Sequence, residues 1–345
     1  MVSVTDVNGL TTAQVGHWHA LYDQFGTRIQ QSPAYTQALN RAGERVLVAI
    51  GRDTVFPFTR EGSMCRAVCH DLPFLSTEQP GQEQLSAVLA QVRLATGLPV
   101  YLPLAAAGYA EVGGMEREDG RADIDGEGEF RTWPRLANSV IDWSLDGADL
   151  WERALRRGTS QLTRKRRLVE RDGLTLRLGR SGHEAAQDTL TVDDNSWKAT
   201  RGQSMRQRGW QGMVYSALIR SGVLTATFLY DQDRPVAFRL DSRVKDRVMC
   251  LKWSYDEAYK RYSPGLYLLT EGLIHQWGGA PIRTIDLFGS PDSLKNLLYS
   301  ERLPRVDIWY GNPKLGAELA ADRLLLDKRV TQAQTAGKGI RHAYA

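Results

Sequence analysis

Apolar and polar residues alternate over RVLVAIG (residues 45–51) and TVFPFTREG (residues 54–62), which predicts two strands turned around Arg52-Asp53. Helices are predicted on either side, from Gln14 to Phe25, from Pro33 to Ala42 and from Gly81 to Thr96, ahead of a strand at LPVYLPL. After SVIDWSL (residues 139–145) the pattern restarts. A helical stretch from Ala148 to Asp172 leads to the strand TLRLG, and helical spacing returns up to Ser221. Three strands follow, VLTATFLYD, RPVAFRLDS and VMCLKWSYD, with turn residues at Asp231–Arg234 and at Lys245-Asp246, as an antiparallel meander requires. A helix from Pro264, the strand RTIDLFG, a segment bearing Lys295, the strand VDIWYG and a helix from Lys314 to about Val330 complete the pattern. The expected class is α/β (α+β), with mixed, mostly antiparallel sheets flanked by helices. Both halves share this plan without a clean sequence repeat.

At 345 residues the chain is long enough for two cores. The predicted domains are 1–145 and 146–330, with 331–345 a loosely held tail. GMEREDGRADIDGEGEF, glycine-rich and charged, reads as a surface loop. A hydrophobic share of 42% and a charged share of 24% are those of a soluble globular protein. No apolar run reaches the roughly 18 residues of a membrane helix, and MVSVTDVNGLTTAQ lacks the pattern of a secretory signal. Cys65, Cys69 and Cys250 form neither a disulfide framework nor a metal-ligand pattern. The expectation is a cytoplasmic protein with no metal and no bound cofactor.

The net charge of +4 is mild but unevenly distributed. Arg156, Arg157, Arg164, Lys165, Arg166, Arg167 and Arg171 crowd one short stretch. At 100° per residue Trp151, Leu155, Leu162 and Val169 share a face, opposite Arg156, Arg157, Arg164, Arg167 and Arg171. Arg166 falls with the apolar stripe, so it needs a carboxylate or phosphate partner. The outer arginines read either as a solvated face or as a surface that tracks phosphates.

The segment Tyr255–Ile274 carries a strand end and a turn that opens a helix. Ser263 is a natural N-cap, Pro264 fits the first turn, and Gly265 admits close approach to backbone. Any capped helix start has the same appearance. RKRRLVERDGL, NSWKATRG, the meander ending YDEAYKRYSPGLYLL, and DLFGSPDSLKNLLY together resemble the GNAT acyltransferase superfamily, in its BioF2-like and Fem-like (FemABX-type) branch. The likeness runs from about Ala148 to Arg329; the N-terminal half resembles a first such domain through SPAYTQAL and TVFPFTREG. It implies two tandem GNAT-like domains.

The resemblance also implies roles. The acyl-CoA pyrophosphate pattern would fall on Arg261, Tyr262, Ser263, Pro264, Gly265 and Leu266, where proline and leucine replace the family's glycine positions. Proline donates no N–H, so that cradle is damaged. Arg206, Gly209 and Gly212 have the wrong spacing for a substitute. Fem-like relatives take the acyl group from aminoacyl-tRNA instead. Lys295 would stabilise the tetrahedral oxyanion, and Asp256 and Asp286 rank first as proton acceptors, ahead of Glu257, Glu271 and His275. Trp197, Lys198, Tyr255, Tyr259 and Arg166 would line the substrate site, and the outer arginines would hold the tRNA acceptor arm. No Ser-His-Asp set or nucleophile elbow is present, so direct attack in a ternary complex is the expected mechanism. The implied activity is amide-forming aminoacyl transfer to a small-molecule amine, in specialised metabolite (antibiotic) biosynthesis. The alternatives are acyl transfer from acyl-CoA or an acyl carrier protein, and a non-catalytic RNA- or protein-binding module.

Overall fold

The computed structural model describes residues 2–69, 74–76, 82–106, 130–147, 149–157, 161–289 and 292–311. The expected loop at residues 114–129, the helix from Lys314 and the tail lie outside these residues. Contacts divide the chain into two units, Met1–Ala137 with Leu303–Tyr344, and Asn138–Arg302.

The first unit carries strands β1 (Ser3–Asp6), β2 (Val46–Ile50), β3 (Thr54–Glu61), β4 (Met64–Ala67), β5 (Leu75–Ser76) and β6 (Val100–Ala106). Helices α1 (Thr12–Phe25), α2 (Pro33–Arg41) and α3 (Gln82–Thr96) accompany them. Thr11 and Gln14 close a capping box on α1, and Ser32 caps α2 ahead of Pro33. β1 to β4 pair antiparallel in sequence order, and β4 pairs β6 in parallel. Phe56, Phe58, Leu89, Val92, Val100 and Leu102 fill the core beneath α3. The strand expected at VDIWYG belongs here rather than to the C-terminal half. Residues 305–310 pair antiparallel with β6, and Asp307 is held by the Tyr101 hydroxyl at 2.9 Å and the Leu104 N–H at 2.8 Å.

The second unit begins within β7 (Phe130–Asp142) and continues through helices α4 (Leu150–Arg157) and α5 (Gln161–Arg171). Then come β8 (Thr175–Arg180), α6 (Gly182–Asp194), α7 (Trp210–Arg220), and the meander β9 (Thr225–Asp231), β10 (Arg234–Val244) and β11 (Arg247–Tyr255). Helices α8 (Pro264–Leu269) and α9 (Glu271–Trp277) precede β12 (Thr284–Asp286), a one-turn helix Lys295–Leu298 and the first two residues of β13 (Glu301–Tyr310), whose remainder belongs to the first unit. Strand order is β7-β12-β11-β10-β9-β8, antiparallel except for the parallel β11–β12 pair. The meander turns where predicted, with Gln232 and Lys245 at positive φ.

Two departures from the expected pattern matter. The described residues of the stretch expected as one helix form two, Leu150–Arg157 and Gln161–Arg171. The helix from Pro264 also breaks at Thr270 (φ −115°, ψ −84°), whose Oγ1 donates to the Leu266 carbonyl at 2.9 Å. Beside that break, Arg239 Nη1 comes within 3.0 Å of where a Cβ on Gly272 would stand, so a larger side chain there would crowd the guanidinium.

Candidate active site

β11 and β12 stay paired over Arg247↔Thr284, Val248↔Ile285 and Met249↔Asp286 only. β12 then ends, while β11 continues to Tyr255. Where the strands part, three segments meet. A Cβ on Gly265 would stand 3.6 Å from Leu294 Cδ2 and 3.6 Å from Trp253 Cδ1, and Lys295 Nζ lies 5.2 Å from the Trp253 ring centroid. The corner at Ser263–Gly265 and the ammonium of Lys295 thus border the same tryptophan. Trp253 was not among the residues singled out from sequence; its place in the alternation of KWSYD is the signal that would have found it.

Lys295 is 4% exposed. Its Nζ donates to the Phe288 carbonyl at 2.7 Å and lies 3.6 Å from Asp292 Oδ2. Burial lowers its pKa from the ordinary lysine value, while Asp292 and Asp286 pull in the opposite direction. Asp286 builds the turn that aims that carbonyl. Its Oδ1 accepts from Asn138 Nδ2 and from the Phe288 N–H, each at 2.7 Å. The turn passes through Phe288 at φ +35° and Gly289 at φ +82°. A bulky residue at positive φ is strained, and such strain collects at functional sites.

The corner itself is poorly made for a pyrophosphate. Ser263 is left-handed at φ +51°, Pro264 has no N–H, and the N–H groups of Leu266 and Tyr267 turn back onto the Ser263 carbonyl at 3.0 and 3.2 Å. Leu266 is buried in a core with Leu269, Leu287 and Leu298. Arg261 pairs with Asp172 at 3.5 Å and bonds the Tyr262 hydroxyl, while its own carbonyl accepts from Lys165 Nζ at 2.6 Å. Arg261 and Leu266 therefore have structural tasks.

Asp256 caps the turn Glu257–Tyr262. Oδ1 accepts from the Ala258 N–H at 2.9 Å and Oδ2 pairs with Arg234 at 2.6 Å. Tyr255 and Tyr259 pack with Val169, Val236, Tyr262 and Leu268, and the Tyr259 hydroxyl donates to Asp231 at 2.7 Å. These groups belong to a different cluster from Lys295. An Asp256→Asn variant is expected to keep turnover within about twofold, since loss of a general base costs about 10²–10⁴. Steady-state rates at saturating substrate check this.

The arginines divide in the same way. Arg166 pairs with Glu170 at 3.0 Å and with the buried Glu271 at 3.3 Å, which supplies the carboxylate its position called for. Arg156 pairs with Glu152, Arg157 donates to the Tyr299 carbonyl at 2.5 Å, and Arg171 pairs with Asp172. Arg164 and Arg167 are exposed and form no ion pair among the described residues. Arg206 pairs with Asp194 at 2.7 Å. Trp197 is 36% exposed beneath the Arg201 guanidinium, 4.9 Å from its ring centroid. Burial raises the thiol pKa values of Cys65 and Cys250, for Cys250 with Asp241 adding to the effect, so neither offers a ready thiolate. No group of metal-ligating side chains occurs among the described residues, nor does any helix long and apolar enough to cross a membrane.

A family model for the acetyltransferase (GNAT) domain matches residues 156–296. A conserved protein of unknown function from Bacteroides thetaiotaomicron superposes with TM-score 0.60 at 12% identity, over 90% of this chain and all (100%) of that one. L-PGS from Bacillus licheniformis superposes with TM-score 0.58 at 11% identity, over 92% of this chain and 97% of its own. For FemX the values are 0.56 and 11%, over 92% and 99%. These are likenesses of fold, and the expected Fem-like arrangement of a GNAT domain is the fold they share. No curated protein sequence matches the chain.

Proposed function

We propose, from a chain whose residues 156–296 form a GNAT-type acyltransferase domain, that the protein moves an aminoacyl group from aminoacyl-tRNA to the amine of a small molecule. The observation that carries this reading is the Ser263–Tyr267 corner. Pro264 has no N–H to offer and those of Leu266 and Tyr267 are turned inward, while a buried lysine borders the same Trp253 ring. A donor held by its pyrophosphate would gain little there; an ester whose carrier binds elsewhere needs only the oxyanion partner. The fold likeness to L-PGS and FemX agrees with aminoacyl transfer.

In this scheme the acceptor nitrogen attacks the ester carbonyl, and Lys295 Nζ, with the Phe288 carbonyl as its anchor, neutralises the tetrahedral oxygen. The C–N bond forms, the C–O bond to the terminal ribose breaks, and the ribose hydroxyl leaves with the proton given up by the amine. Both oxygens of Asp256 have structural partners, and in this scheme the amine enters as its free base. The ester is already activated, and positioning supplies the rest. The exposed Arg164 and Arg167, one helical turn apart on α5, are the residues best placed to meet tRNA phosphates.

The test is product formation from charged tRNA pools and a set of small amines, followed by intact-mass analysis. Ribonuclease pretreatment is expected to abolish product, and acyl-CoA is expected not to replace the tRNA. Undiminished product after ribonuclease would remove tRNA from the scheme. The same two arginines could receive an acidic acyl carrier protein, and product from a purified acyl thioester without RNA would favour that second reading.

A further inference from the structure

Lys198 has no task in the scheme above. It stands in the single turn Trp197–Thr200, capped by Ser196, and its Nζ donates to the Trp253 carbonyl at 2.5 Å. It also lies 5.9 Å from the Trp197 ring centroid. Neither is an anion, and Lys198 forms no ion pair among the described residues. The carboxylate that acts on it, Asp193, holds Lys252 Nζ at 3.1 Å and the Met205 N–H at 2.6 Å through Oδ2, while its Oδ1 is buried without a hydrogen-bond partner. Asp194, the next carboxylate on α6, is held by Arg206. Arg208 adds a further cation without an ion pair among the described residues.

Around Lys198 the cations Lys252, Arg208 and Lys295 outnumber the one carboxylate, Asp193. Burial first, then repulsion from Lys252, lowers its pKa to about 8, with Asp193 opposing and Arg208 and Lys295 adding to the drop. A half-buried ammonium whose charged neighbours are mostly cations is a costly arrangement that a bound anion relieves. Lys198 and Lys295 also flank the same residue, one on the carbonyl and one on the ring of Trp253. An anion seated at Lys198 would stand close to the reaction corner.

We propose that Lys198, supported by Lys252 and Arg208, seats an anionic group, a carboxylate or a phosphate, carried by the amine acceptor. This rests on the transfer reading of the same site, and it narrows the acceptor class to amines with a negatively charged substituent.

The test separates the two ideas because its first arm needs no donor and no turnover. The full-length protein is acetylated with a small amine-reactive ester at pH 8, and modification of Lys198 is followed by peptide mass spectrometry. Inorganic phosphate and succinate are the probes, with Lys260, exposed on the surface, as the reference lysine. Saturable protection of Lys198 but not Lys260 is expected, and whether phosphate or succinate gives it identifies the substituent. No protection by either, or equal protection of Lys260, overturns the proposal. In the second arm, with any acceptor that turns over, Lys198→Met is expected to raise the acceptor KM about tenfold or more, as loss of a charged hydrogen bond does, with kcat within about twofold. An unchanged KM overturns the proposal even if transfer itself is sound, whereas a chain that protects Lys198 but never transfers refutes only the transfer reading.

Discussion

Replacing Lys295 with methionine lowers turnover by about 10²–10³-fold in this account, because loss of one preorganised oxyanion partner costs about 2.7–4 kcal/mol of transition-state stabilisation. Methionine retains a flexible apolar stem beside Trp253 and Leu298, so folding is expected to survive. The pH dependence distinguishes catalysis from stability. Burial lowers the Lys295 pKa in the folded state, so turnover falls as pH rises through that lowered value. Across the window from there up to the ordinary lysine value, the unfolded chain binds more protons. The stability contribution of this residue therefore rises with pH where turnover falls. Paired rate and denaturation profiles from neutral pH upward check this, and a Lys295→Met variant with wild-type kcat would remove the residue from the mechanism.

The second large effect concerns the scaffold. Arg239 is 0% exposed and pairs with Asp241 at 2.7 Å, with its Nε adding contacts of 2.9 and 3.0 Å. Its remaining donors reach the Leu268 carbonyl and, at 2.8 Å, Gln276 Oε1. The guanidinium thus ties β10 to both α8 and α9, the helices behind the Gly265 corner. Arg239→Met leaves Asp241 buried and unpaired, and is expected to cost about 3–5 kcal/mol. Adding Asp241→Leu is expected to recover part of that loss, since a buried pair replaced by apolar groups is often near neutral. Urea denaturation followed by near-UV circular dichroism measures both. A single-variant loss below about 1 kcal/mol would contradict this role.

Local order was legible where pattern and turn chemistry agree. The meander, its Asp231–Arg234 and Lys245-Asp246 turns, the Ser32-Pro33 helix start and the Arg52-Asp53 hairpin all depend on near neighbours in sequence. The demand that Arg166 find a carboxylate was legible too, because a charge on an apolar stripe must be compensated. What escaped is long-range. Nothing local in VDIWYG says that it pairs with β6, and nothing in the aspartates distinguishes a proton acceptor from a cap. Asp256 and Asp286 end their strands as expected, and Asp256 spends its two oxygens on the Ala258 N–H and Arg234, while one oxygen of Asp286 accepts from Asn138 and the Phe288 N–H. The helical wheel was legible as well: Arg156, Arg157, Arg164, Arg167 and Arg171, placed on the outer face, are all exposed, and Val169 on the other face is buried.

The central claim, that transfer occurs where β11 and β12 part, is tested most directly by crosslinking. A tRNA carrying a non-hydrolysable aminoacyl amide with a diazirine on its side chain would be photolysed on the protein and the labelled peptides sequenced. Label on Trp253, Gly265 or the Leu294-Lys295 pair is the predicted result. Label confined to residues 2–69, with those peptides unmodified, would contradict it.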